Sequence, residues 1–104
     1  VYTHVCSSVR FDWDRRKNAE NLRVRGFDFE FASLIFDGPT LEREDERRDY
    51  GERRVVAIGL AHGIAVTVVY TDRTEAGVSI RRIISARLSS RHERQAFFEA
   101  VAQE

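Results

Sequence analysis

The sequence predicts an α+β domain: an antiparallel sheet of about four strands with helices packed on one face, in the order β-α-α-β-β-β-α. Three observations predict it. Residues 54–60, 64–71 and 78–88 ("RVVAIGL", "IAVTVVYT", "VSIRRIISARL") are β-branched runs separated by the turn residues His62 and Gly63 and by "DRTEAG", which reads as a meander. Asp14 and Gly26 bracket "RRKNAENLRVR" as an N-cap and a left-handed C-terminal residue bracket a helix. Ser90 and Glu93 form a capping box ahead of "RHERQAFFEAVAQ".

The elements follow in chain order. Residues 1–8, "VYTHVCSS", have no periodicity that continues downstream and are expected to be a frayed N-terminal extension to a single domain over 9–104. Val9, Phe11 and Trp13 alternate with Arg10, Asp12 and Asp14, the period of a half-buried strand. In the first helix only Ala19, Leu22 and Val24 can face a core, so it should lie on the surface. "FDFEFASLIF", 27–36, carries both strand and helix periods; Asp28 as cap and Glu30 in the first turn favour a helix. "DGPT", 37–40, is a turn, and the charged run 41–53 reads as a solvated loop or short edge strand. On strand 78–88 simple alternation puts Ile80, Arg82, Ile84, Ala86 and Leu88 on the helix-facing side and Ser79, Arg81, Ile83, Ser85 and Arg87 on the other. The last helix should bury Phe97, Phe98 and Val101.

At 104 residues, 42% hydrophobic and 33% charged, the chain holds one modest core. No apolar run approaches the roughly 20 residues of a membrane-spanning helix and no leader pattern opens the chain, so the expectation is a cytoplasmic protein with no membrane partner. Cys6 is the single cysteine, and with His4, His62 and His92 it makes no recognisable metal motif. No phosphate loop, nucleophile elbow, zinc-protease helix or calcium loop is present. The expectation is therefore no metal and no cofactor, with chemistry supplied by scattered side chains.

The formal net charge of zero hides a segregation: residues 37–52 hold seven acidic residues against three arginines, whereas residues 78–94 hold five arginines against one glutamate. Lys17 is the sole lysine among seventeen cations. The arginine fork suits phosphate and carboxylate, although a GC-rich coding sequence produces the same bias. Arg81 and Arg87 are expected on one sheet face, with Arg91 and Arg94 in the first turn of the last helix converging on them. Cations sit poorly at a helix N-terminus unless an anion lies between them. Against this stands neutralisation of the same arginines by surface acids. Trp13 and Tyr70 could stack on a base or simply fill the core. His62 and His92 bring imidazole, the side chain that changes charge near neutral pH.

Taken together, "FDWDRRKNAENLRVRGFDFEFASLIFDGP", "RRVVAIGL", "VVYTDR" and "RRIISARLSSRHERQAF" resemble, in order and spacing, the BrnT family of bacterial toxins over residues 9 to about 98. The carrying motifs are W-D-x-x-K followed by N-x-x-x-x-G, matched by Trp13, Asp14, Lys17, Asn21 and Gly26; the A-I-G strand; and R-I-I-S-A-R with R-x-E-R, matched by Arg82 to Arg87, Arg91, Glu93 and Arg94. The resemblance implies a RelE-like fold, a ribonuclease activity that inhibits translation, and a cognate BrnA-type antitoxin that binds the toxin and touches DNA through its own domain.

Metal-independent RNA cleavage uses the ribose 2′-hydroxyl, so the protein must stabilise charge on phosphorus and move two protons. The expected charge stabilisers are Arg82 and Arg87 with Arg53 or Arg54; the acid and base come from Glu93, His92, His62 and Tyr70; Arg81, Arg91, Arg94, Trp13 and Lys17 are expected RNA contacts. The competing readings are a non-catalytic RNA- or ribosome-binding domain and an interaction module whose basic face receives an acidic protein.

Overall fold

The computed structural model describes residues 2–4, 9–46 and 51–103. Strands β1 (Tyr2–His4), β2 (Arg10–Trp13), β3 (Pro39–Glu44), β4 (Val55–Ala61), β5 (Ile64–Glu75) and β6 (Val78–Leu88) form one sheet in the order β1-β3-β4-β5-β6-β2. The α+β class stands, and the strand count and order are corrected. The sheet is mixed, because β2 runs parallel to β6 while every other pair is antiparallel. The charged run contributes β3, starting inside the expected turn; residues 47–50 of that run lie outside the described residues. Residues 2–4 of the expected extension pair their backbone with β3, and residues 1 and 5–8 lie outside the described residues.

The meander closes through two-residue turns. His62 and Gly63 (φ 48° and 78°), and Ala76 and Gly77 (φ 50° and 77°), are all left-handed, the conformation that matches the twist of paired strands. Helix α1 (Arg15–Arg25) is capped by Asp14, whose carboxylate accepts from the Arg16 and Lys17 amides, and ends where Gly26 turns to φ 84°. Helix α2 (Phe29–Ser33), capped by Asp28, runs on into a 3₁₀ turn at Leu34–Asp37.

The helices occupy both faces of the sheet, correcting the one-face expectation. Phe29, Ala32, Ile35 and Phe36 form the core with Ala57, Ala61, Val66, Val68, Tyr70, Ile83 and Ala86. A Cβ on Gly59 would meet the Ile35 Cβ at 2.8 Å and the Thr40 Cγ2 at 3.1 Å, so the A-I-G glycine is where the 3₁₀ turn lies down on β4. Pleat alternation sends Val56 and Ile58 to the other side, where they border a cavity with His92, Glu93 and Ala96 of α3 (Arg91–Ala102). Phe97 is buried there, whereas Phe98 remains 51% exposed.

Helix α1 lies on the surface as expected, but its buried residue is Asn21, while Leu22 and Val24 are exposed. The Asn21 amide donates to the Phe27 carbonyl at 3.0 Å, and Asn18 Oδ1 accepts from the Phe29 amide at 2.7 Å. Polar side chains that hold the next segment replace the missing apolar stripe.

A bulge in β6 changes which arginines share a face. Val69 stands opposite Ser85 and Tyr70 opposite Ile83, leaving Ile84 as the extra residue. Simple alternation fails across a bulge. Arg81 and Ile83 therefore join Ala86 on the α2 side, and Arg82 joins Ser85 and Arg87 on the α3 side.

Candidate functional site

On the α3 side, register lines up Arg43, Val56, Val69 and Ser85 across four strands. The next row is Leu41, Ile58, Thr67 and Arg87, and the row on the other flank carries Thr71, Arg82 and Asp12. Helix α3 packs against β3 and β4, and the row of Arg43, Val56, Val69 and Ser85 borders an open groove across the sheet. Arg25 enters it from the edge. Strand β2 stops opposite Ile83, α1 continues along the freed edge of β6, and Arg25 Nη1 donates to the Ala86 carbonyl at 2.8 Å and to Asn21 Oδ1 at 3.4 Å. The last turn of a helix is a favourable place for that cation.

Arg25, Arg43 and Arg87 thus converge on one cavity of about 220 Å³, floored by Val56 and Val69 with Ser85 at its wall. The Arg43 side chain has no hydrogen bond or ion pair among the described residues. Three guanidiniums on an apolar floor attract an anion more strongly than they would in bulk water, and their fork geometry matches phosphate oxygens.

Arg87 is oriented by Glu93. Its Nη1 and Nη2 donate to the two carboxylate oxygens at 2.7 and 2.8 Å. The same carboxylate accepts from the Ser90 amide at 2.8 Å, completing the capping box, and from Thr67 Oγ1 at 3.2 Å. The Arg87 fork, followed by the Ser90 amide, pulls the Glu93 pKa down to about 2. This group is an anchored anion with low proton affinity, which suits positioning better than general base work. Arg82 donates to Asp12 Oδ1 at 3.1 Å and Arg73 to Asp12 Oδ2 at 2.8 Å, so Asp12 fixes the far flank. Arg54, on the same side by alternation from Val56, pairs with Glu52 at 3.1 Å.

The remaining expected site residues divide. His92 lines a neighbouring cavity between α3 and the Leu41, Val56 and Ile58 side of the sheet, and not the arginine cavity itself. Arg94 donates to the Ser89 carbonyl at 2.8 Å, and Arg91 is exposed in the first turn of α3. Lys17 lines a surface cavity with Arg25, Ile84 and Ser85 at the groove's edge.

Five residues lie elsewhere. Arg81 is on the opposite face, forked to Asp72 at 2.8 and 2.9 Å, its guanidinium 4.1 Å from the Tyr70 ring centre and 4.8 Å from that of Phe36. The convergence of Arg81 with Arg87 is therefore corrected by the bulge. Tyr70 is buried at 3% exposure and donates to Glu42 Oε1 at 2.9 Å; burial pushes its phenol well above the usual pKa. Arg53 pairs with Glu44 at 2.8 Å beside this cluster. Trp13 meets Phe29 edge-on at 6.2 Å as part of the core, and His62 stacks on Phe31 at the β4–β5 turn.

Sequence reasoning missed Arg25, Arg43 and Asp12 as site residues. Arg43 had a signal, since Leu41 and Arg43 alternate with Thr40 and Glu42 once β3 is read as a strand. Arg25 had only its place in the last helical turn before Gly26.

Among the described residues no helix is long and apolar enough to cross a membrane. No group of three or more His, Cys, Asp or Glu side chains among them could hold a metal ion. A search among curated proteins finds no match. The family described as "Ribonuclease toxin, BrnT, of type II toxin-antitoxin system" matches residues 13–93, from the end of β2 through the first turn of α3, and so spans the groove from Arg25 to Glu93. The chain belongs to the BrnT family of ribonuclease toxins of type II toxin–antitoxin systems.

Proposed function

We propose that the chain is a metal-independent endoribonuclease that cuts RNA in the α3-side groove and thereby inhibits translation. The observation that carries this reading is the convergence of Arg25, Arg43 and Arg87 on one cavity, which no carboxylate of the described residues lines. A scissile phosphodiester seated there has its non-bridging oxygens among guanidinium donors. Each preorganised donor aimed at the developing charge is worth roughly 3 kcal/mol. Arg82 and Arg54 extend the positive track along the strand that leads in and out, with Lys17, Arg91 and Arg94 at its margins.

In the reaction the ribose 2′-hydroxyl gives up its proton, its oxygen attacks phosphorus, and the 5′-oxygen leaves with a proton. The products are a 2′,3′-cyclic phosphate and a 5′-hydroxyl. His92, whose cavity adjoins this one through Arg43 and Val56, is assigned the proton-transfer role, a contribution of typically ~10²–10⁴-fold. Glu93 holds Arg87. Tyr70, Arg81, Arg53, Trp13 and His62 serve the fold.

A BrnA-type antitoxin neutralises the protein by covering this groove with acidic side chains, and DNA is contacted through that partner. The test is incubation of the purified chain with an RNA oligonucleotide in EDTA, with product ends analysed by mass spectrometry. Cyclic phosphate and 5′-hydroxyl ends are expected, and they should disappear in Arg87→Ala. RNA bound in a salt-dependent manner but recovered intact would overturn the enzymatic reading and leave a binding domain.

A further inference from the structure

The arginine cavity has a neighbour of different chemistry. Arg43 and Val56 belong to the walls of both the 220 Å³ cavity and a second one of about 330 Å³ that runs under α3. The second cavity is bounded by Leu41 and Ile58 of the sheet and by Ala96 of the helix, with His92, Glu42 and Glu93 completing its lining. Its size falls within the range of ligand-binding pockets, and such pockets combine apolar walls with a few placed polar groups.

We propose that this second cavity is a nucleobase subsite, which seats the base of the nucleotide whose phosphate lies among Arg25, Arg43 and Arg87. The proposal rests on the RNA reading above and deepens it, because it makes the cavity under α3 the element that selects where RNA is cut.

Three observations support the assignment. The cavities share Arg43 and Val56, so a base and its own phosphate can occupy them side by side. The second cavity sets the aliphatic side chains Leu41, Val56 and Ile58 of the sheet and the Ala96 methyl of the helix among polar neighbours, a lining that suits a base ring. Arg43, whose side chain has no partner among the described residues, can turn its plane to the ring or its donors to a base carbonyl. The carboxylate of Glu93 is already saturated by Arg87, Ser90 and Thr67, so it fixes α3 at the cavity and leaves base contacts to the other side chains.

The test is a titration of the full chain with inorganic phosphate and separately with the four 3′-mononucleotides, following backbone amide NMR shifts. Phosphate should move the amides of residues 25, 43, 85 and 87. At least one mononucleotide should also move those of 41, 58 and 96 and bind roughly tenfold or more tighter than phosphate, the gain from burying one ring against aliphatic side chains. Ala96→Leu fills the cavity without touching an arginine. It should bring that nucleotide's affinity down to that of phosphate, with phosphate binding unchanged, and it should erase the base preference of cleavage. Leu41→Phe should do the same from the opposite wall, which covers the case in which one variant folds poorly.

Mononucleotides that bind no tighter than phosphate, or an advantage that survives both substitutions, would overturn the subsite. RNA left intact by a protein that binds nucleotides as described would overturn the catalytic reading and leave the subsite standing.

Discussion

Glu93 grips Arg87 through both carboxylate oxygens, at 2.7 and 2.8 Å, and so ties the first turn of α3 to the end of β6. The pair is unequal in exposure: the Glu93 side chain is 16% exposed and that of Arg87 46%. The carboxylate is the anchored partner, and the guanidinium is the one that reaches the groove.

This inequality separates the two substitutions. Arg87→Ala should lower RNA cleavage by about 10²–10³-fold, the effect of losing one preorganised donor, while far-ultraviolet circular dichroism stays that of the folded chain. Glu93→Gln keeps the shape but removes the charge that orients Arg87, so cleavage should fall less. The pH dependence of stability should report the same residue. The folded pKa of Glu93 is depressed from 4.5 to about 2, so its contribution is fully present above pH 4.5 and is lost as pH falls towards 2. Melting temperatures measured between those limits should therefore fall less steeply in Glu93→Gln than in the parent; parallel curves would remove Glu93 from this role.

Opposite faces of the sheet should give opposite phenotypes. Arg25→Ala and Arg43→Ala each remove a cation from the arginine cavity, so each should lower the slope of log affinity against log salt for single-stranded RNA by about 0.7, with little change in melting temperature for Arg43→Ala. Arg81→Ala should do the reverse. It strips a guanidinium from between Asp72 and the Tyr70 and Phe36 rings, which should lower stability by about 1–3 kcal/mol and leave the salt slope intact. A salt slope that falls in Arg81→Ala would place RNA on the α2 face instead.

How far these faces were legible depended on whether local pattern carried the information. The caps at Asp14, Asp28 and Ser90, the left-handed Gly26 and the two-residue turn at His62 and Gly63 are set by near neighbours in sequence, and their residue types reveal them. The face of Arg81 depends on where one residue bulges out of register with β5, and Ile83 and the bulged Ile84 are the same residue type, so nothing in the sequence marks which one is extra. β3 was obscured for a different reason: its inward residues include Thr40 and Glu42, which are polar but satisfied, Glu42 by the Tyr70 hydroxyl and by Thr40 Oγ1. A strand with polar residues on both sides has no apolar–polar alternation to announce it, and its faces can be read only once it is known to be a strand. The parallel pairing of β2 with β6 joins residues some seventy positions apart, and its partner choice leaves no mark in either strand.

Gly59 should tolerate no side chain. An added methyl would meet the Cβ of Ile35, which is fixed to the backbone, and the branched Thr40, so relief requires moving the 3₁₀ turn off β4. Gly59→Ala is expected to cost about 1–3 kcal/mol, the usual penalty of overpacking, measured by urea denaturation. A compensating Ile35→Val does not relieve it, because the clash is with Cβ itself; an additive double variant would agree with this, and restoration of stability would refute it.

Asn21 links folding to the site, and its substitution should disturb both. Its amide donates to the Phe27 carbonyl and its Oδ1 accepts from Arg25 Nη1, so one buried side chain fixes the chain leaving α1 and steadies a groove arginine. Asn21→Ala leaves the Phe27 carbonyl without that donor, a loss of roughly 1–3 kcal/mol, and frees Arg25 from one of its two acceptors. Asn21→Asp retains the acceptor for Arg25 and removes the donor to Phe27. Stability should therefore fall in both variants, whereas RNA affinity at fixed low salt should fall more in Asn21→Asp than in Asn21→Ala, because the new carboxylate neutralises the Arg25 it contacts. Equal affinities for the two, measured by fluorescence anisotropy on one oligonucleotide, would confine Asn21 to the fold and leave Arg25 held by the Ala86 carbonyl.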